Sequence, residues 1–127
     1  MIYSSERKRA LDNIFNAFAR YIREQNEFDI VYSEKVGYVW FLVQDPSSAG
    51  AEVLDTPAAM LDTLFDAIVN EVILSPDNPR YIPDAPTLTA YEETESRRRI
   101  TAILDTMEED RDTCLCYLNV YLGTYGP

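Results

Sequence analysis

The sequence contains no histidine. Histidine is the side chain whose unperturbed pKa lies in the physiological range, and it is the commonest transition-metal ligand. Without it, acid–base catalysis near neutrality would need a carboxylate raised or a lysine lowered. Cysteine is nearly absent too, with only Cys114 and Cys116. In a helix these two would point about 200° apart, a poor geometry for a disulfide. They read as reduced thiols, and a cytoplasmic protein is expected. With two thiols and no histidine or third cysteine to complete the set, a zinc site is not expected. Only four glycines are present, and no Gly-x-Gly-x-x-Gly, Walker or Gly-x-Ser-x-Gly pattern occurs. No catalytic residue, metal ligand or cofactor is therefore expected.

Basic residues are scarce, 11 against 22 acidic ones, for a net charge of -11. That balance argues against nucleic acid or an anionic membrane as the partner. Long apolar runs are missing as well. No window reaches the roughly 18 apolar residues of a membrane span. The basic start at Arg7, Lys8 and Arg9 leads into an amphipathic stretch with Asp12, Asn13 and Asn16, not into a signal-peptide core.

What remains is an ordinary globular mixture, 46% hydrophobic and 12% aromatic over 127 residues. One domain, 1–127, is expected, with a core of its own. Leu11, Ile14, Phe15, Phe18 and Ile22 form a helical stripe, which predicts a first helix from Ser5 to Gln25 with Ser5 at the cap. Phe28–Ser33 and Tyr38–Val43 read as strands joined by a short glycine-containing turn, so an antiparallel hairpin follows. The second strand is apolar on both faces: Tyr38, Trp40 and Leu42 on one, Val39, Phe41 and Val43 on the other. Such a strand is expected to be covered on both sides, by this chain or by a second copy.

Asp45–Gly50 reads as a loop and Glu52–Asp55 as a brief third strand. Thr56-Pro57 opens a helix whose buried stripe is Leu61, Leu64, Phe65, Ile68 and Val72. Ser75 to Pro86 holds four of the seven prolines and reads as an irregular connection. Thr89-x-x-Glu92 fits a capping box. From there to Leu122 the pattern is helical, as one long helix or as two separated near Glu109–Asp112. Thr113–Leu122 could also form a strand. The fold class is α+β: an N-terminal helix, an antiparallel hairpin with a possible short third strand, then two or three amphipathic helices.

Charge is unevenly placed. Residues 1–25 carry five basic and three acidic side chains, the remainder six and nineteen. No lysine or arginine lies between Val36 and Pro79. Asp55, Asp62 and Asp66 share the side of the second helix opposite its apolar stripe. In one long helix, Asp105, Glu108, Glu109 and Asp112 would stack on one side, where like charges repel. Both groups read as an acidic docking surface for a basic partner, or as solvated faces. Glu93 and Glu95, each four residues before Arg97 and Arg99, predict pairing within one helix. Tyr38, Trp40, Tyr117 and Tyr121 are candidate interface aromatics, since tyrosine and tryptophan bury area while keeping a polar handle.

The α-β-β-α order, small size and acidity resemble secretion-chaperone-like and immunity-protein-like modules at the level of fold. That resemblance implies an interaction module. The leading expectation is a small acidic, non-enzymatic protein, homodimeric, that binds a basic or amphipathic protein partner. A small enzyme or ligand-binding domain with a carboxylate site around Asp45 and Asp77–Asp84 is the alternative. A nucleic-acid mimic is a further one.

Overall fold

A computed structural model describes residues 3–44, 50–79 and 87–125. Seven elements follow one another: α1 (Ser5–Arg23), β1 (Phe28–Ser33), β2 (Gly37–Leu42), β3 (Glu52–Val53), α2 (Pro57–Ile73), α3 (Ala90–Leu104) and α4 (Arg111–Gly123). The class is α+β, with an antiparallel sheet of order β1-β2-β3. By contact the chain divides into two compact units, Met1–Met60 and Leu61–Pro127.

The first unit is built by α1 lying on the sheet. Leu11, Ile14, Phe18 and Ile22 are buried along α1 as their spacing requires, while Phe15 stays half-exposed. The cap is Ser4, one residue earlier than expected, whose Oγ accepts from the Arg7 N–H at 3.1 Å. β1 and β2 pair in the register Phe28↔Leu42, Ile30↔Trp40, Val31↔Val39. Strand alternation then puts Phe28, Ile30, Tyr32, Tyr38, Trp40 and Leu42 on one face. This is the α1 face: the Phe15 and Tyr38 rings lie 5.0 Å apart, and Tyr38 donates its hydroxyl to Asp12 Oδ1 at 2.5 Å.

A buried tyrosine locks the start of β2. The Tyr3 hydroxyl accepts from the Tyr38 N–H at 2.9 Å and donates to the Leu54 carbonyl at 2.8 Å. It satisfies two backbone groups that would otherwise be buried unpaired. Gly37 sits against this hydroxyl with φ of 93°. A Cβ there would lie 2.5 Å from Tyr3 Cζ and overlap the hydroxyl itself.

In the second unit, Leu61, Leu64, Phe65, Ile68 and Val72 of α2 are all buried. The helix starts as expected, with Thr56 Oγ1 accepting from the Ala59 N–H. The capping box at α3 forms in both directions, between Thr89 and Glu92. Glu92 is buried, and its second oxygen accepts from Asn78 Nδ2 at 2.7 Å. Asn78 also donates to the Ile73 carbonyl, which ties the end of α2 to the start of α3.

The long C-terminal pattern is two helices, not one. α3 ends at Leu104 and α4 begins at Arg111, so the break starts earlier than Glu109. Met107 folds into the core at the break, and Asp110 takes a left-handed conformation, φ 65°. A continuous helix would have stacked the four carboxylates; the turn separates them. Thr113–Leu122 is helical.

Candidate interaction surfaces

The sheet has a second face. Asp29, Val31 and Ser33 of β1, Val39 and Phe41 of β2 and Val53 of β3 share it by alternation and register. Val31, Val39 and Val53 form a row across all three strands. Val31 is 42% exposed and Val53 41%. Val39 and Phe41 are half-buried, and Val43, which continues the same side, is exposed. α1 covers one face, on which Tyr32 and Leu42 are still exposed, and on the other face exposed Val31 and Val53 flank a half-buried Val39. Tyr38 is buried and shares the α1 face with Trp40. The aromatic side chain on the open face is Phe41, which strand alternation alone could not single out because both faces of β2 are apolar.

Asp29 has a second position-specific role. Its Oδ1 accepts from the Ile30 N–H at 2.7 Å. The Glu27 carbonyl accepts from the Val43 N–H, so the odd residues here bond toward β2 and Ile30 N–H points to the free edge. The carboxylate thus closes a donor that an incoming strand would use.

Asp62 and Asp66 of α2 are not free. Tyr117 donates to Asp62 Oδ1 at 2.7 Å, and Tyr121 donates to Asp66 Oδ1. The spacing of four on α2 meets the spacing of four on α4, and the two helices zip through two hydroxyl–carboxylate bonds. Tyr125 extends the ladder, its hydroxyl 3.1 Å from that of Tyr121. Asp62 and Asp66 therefore border the α4 contact, and of the three acidic residues Asp55 stands apart, exposed before the helix begins. Tyr117 and Tyr121 serve the interior of the second unit; Tyr121 is buried.

The α3–α4 turn is more open. Asp105, Glu108, Glu109, Asp110 and Asp112 are all exposed. Among the described residues, Asp105, Glu108 and Glu109 have no ion pair, and Arg111 lies 3.8 Å from Asp112. The arginines of α3 pair within the helix as expected, Arg97 with Glu93 at 3.4 Å and Arg99 with Glu95 at 2.9 Å. Hydrogen bonds from Arg98 and Arg99 pull the Glu95 carboxyl down to about 2. Arg97 also donates to Asn119 Oδ1 at 2.5 Å. These two residues line a cleft of about 240 Å³ with Leu88, Glu93, Leu122 and Tyr125. Its guanidinium is already engaged, and the cleft is smaller than the usual ligand pocket.

Residues 45–49 and 80–86 lie outside the described residues, and with them Asp45 and Asp84 of the expected carboxylate site; Asp77 is exposed. Among the described residues no group of three or more cysteines and carboxylates is arranged to hold a metal ion. No described helix is long and apolar enough to cross a membrane.

Three buried acids give the fold a pH signature. Burial pushes the Cys114 thiol from 9.0 up to about 11. Burial, then a hydrogen bond to Asp12, raises Tyr38. Burial, then a hydrogen bond to Asp66, raises Tyr121. Each is neutral when protonated, and each ionises at a higher pH in the fold than in the open chain. Their contribution is intact below the unfolded pKa and lost as pH rises toward the folded one. Chemical denaturation is expected to give a constant midpoint from about pH 7 to 8.5 and a falling one above about pH 9. Cys114→Ser with Tyr121→Phe should flatten that fall; an unchanged slope would show that these groups do not cause it.

Comparison of the chain with protein-family models, with curated proteins and with solved structures finds no match.

Proposed function

We propose that this chain is a non-catalytic interaction protein that self-associates and whose acidic surface attracts a basic or amphipathic protein partner. One observation carries the reading: a molecule of net charge -11 keeps an apolar sheet face open to solvent. Exposed apolar side chains gathered on one face mark contact surfaces more often than isolated ones do. The acidic field adds long-range attraction for a cationic partner and repels nucleic acid. Within that field the α3–α4 turn is the densest exposed group, with five carboxylates from Asp105 to Asp112.

A synthetic amphipathic helix of leucine and lysine tests the charge half of this reading. It is expected to bind the full chain at low salt and to lose about tenfold in affinity at roughly 0.3 M salt, where screening is short-ranged. Asp105→Lys, Glu108→Lys and Glu109→Lys together should weaken binding at least as much. The same charge change at Glu6, Glu24 and Glu71, all exposed, should matter much less. Equal losses from the two triple variants would mean diffuse attraction by net charge alone, and the acidic turn would have no part in partner binding.

A further inference from the structure

Among the described residues β1 is an outer strand of the sheet. Its odd residues bond toward β2, so Phe28, Ile30 and Tyr32 direct their backbone N–H and C=O groups away from the sheet. Such a row is a template for one more strand.

The residues of β1 suit that template. Phe28, Ile30, Val31 and Tyr32 all favour extended backbone. From Phe28 to Ser33 there is no proline, and the one charge is Asp29. A short, β-favouring segment with so little charge is the usual pattern of unwanted strand pairing. Every copy of the chain in solution carries the same strand, so a second copy is the first competitor to be kept out.

The outward groups set how two such strands would join. Antiparallel pairing centred on Ile30 keeps the most strand hydrogen bonds: Phe28 faces Tyr32 of the second copy, and Ile30 faces Ile30. The two Ile30 N–H groups would then make the two bonds at the two-fold axis. Asp29 takes that donor first. Its Oδ1 accepts from the Ile30 N–H at 2.7 Å within its own strand. Pairing of two copies therefore forfeits both central bonds.

We propose that Asp29 is a guard residue, whose carboxylate, bonded to the Ile30 N–H, keeps β1 of one copy from adding to β1 of another. The fold thus holds a latent dimer, released when the acceptor at position 29 is removed. The opposite edge, β3, is only two residues long, so the latent pairing closes as a dimer and does not run on as a fibre. The inference concerns the edge of the sheet and does not rest on its open face being a contact surface.

Sedimentation equilibrium of the full chain from about 10 μM to 1 mM compares wild type with two variants. Asp29→Ala removes the acceptor and should dimerise about tenfold more tightly than wild type, the gain of two ordinary hydrogen bonds. Asp29→Asn loses the charge but keeps an acceptor for Ile30, and should match wild type. Val53→Glu charges the outer face on β3, away from the β1 edge; Asp29→Ala should give the same gain in that background. A second readout needs no association. In dilute wild-type protein the Ile30 amide should exchange its hydrogen about tenfold or more slowly than that of Tyr32, another outward donor, and Asp29→Ala should abolish the difference. Folded Asp29→Ala, as judged by its melting curve, that gains nothing over wild type overturns the guard. Equal gains from Asp29→Ala and Asp29→Asn assign the effect to charge and remove the role of the bond. A gain that vanishes with Val53→Glu puts the second copy on the face and not at the edge. Ile30 exchanging as fast as Tyr32 in wild type overturns the inference without any variant.

Discussion

Gly37→Ala is expected to destabilise the chain by about 3 kcal/mol and to lower its melting temperature by roughly 10 °C. Two costs add. The residue sits at φ 93°, where a side chain meets the following carbonyl; that alone is worth about 1–2 kcal/mol. The added methyl also overlaps the Tyr3 hydroxyl. Tyr3 cannot withdraw cheaply, since it is buried and holds both the Tyr38 N–H and the Leu54 carbonyl. Breaking that bridge leaves two buried backbone groups unsatisfied, at roughly 1–3 kcal/mol each. Thermal unfolding of Gly37→Ala, alone and with Tyr3→Ala, separates the two. The double variant should show less than the sum of the single losses, because the overlap is counted once. Strict additivity would mean that the backbone conformation alone accounts for the glycine.

Phe65→Ala is expected to cost about 3–5 kcal/mol, the range for removing a fully buried aromatic ring. Phe65 is 0% exposed. Its ring lies 5.3 Å from that of Tyr121 and 6.4 Å from that of Tyr117. The two tyrosines also donate to Asp62 and Asp66, so the same contact has an apolar and a polar part. The apolar part dominates. Asp66 is exposed and can take water in place of the tyrosine, so Tyr121→Phe is expected to cost only about 1 kcal/mol. Chemical denaturation of the two variants makes the comparison. A Tyr121→Phe loss equal to that of Phe65→Ala would reverse the ranking and make the hydroxyl–carboxylate ladder the main tie between α2 and α4.

The features legible in the residue order are those set by near neighbours. The α1 and α2 stripes, the capping box at Thr89–Glu92 and the glutamate–arginine pairs of α3 depend on side chains within one or two helical turns. Such interactions form in the isolated segment or not at all, so spacing suffices to find them. The break between α3 and α4 was harder to read because no glycine or proline marks it. It depends on Met107 finding a buried place and on Asp110 tolerating a left-handed backbone. Aspartate is one of the few residues that does so, and that was the one local clue.

Composition and periodicity by themselves determined the α+β class, the helical phases and the acidic, histidine-free character of the surface, because each follows from residue type and local spacing. Only the tertiary structure decided which carboxylates are free and which face of β2 meets α1. Asp62 and Asp66 meet tyrosines 55 positions away, and no local pattern encodes such a distance. β2 is apolar on both sides, so alternation sorts its residues into two sets without saying which set α1 will cover. That choice was made by Asp12 and Phe15, which reach across from another element to Tyr38.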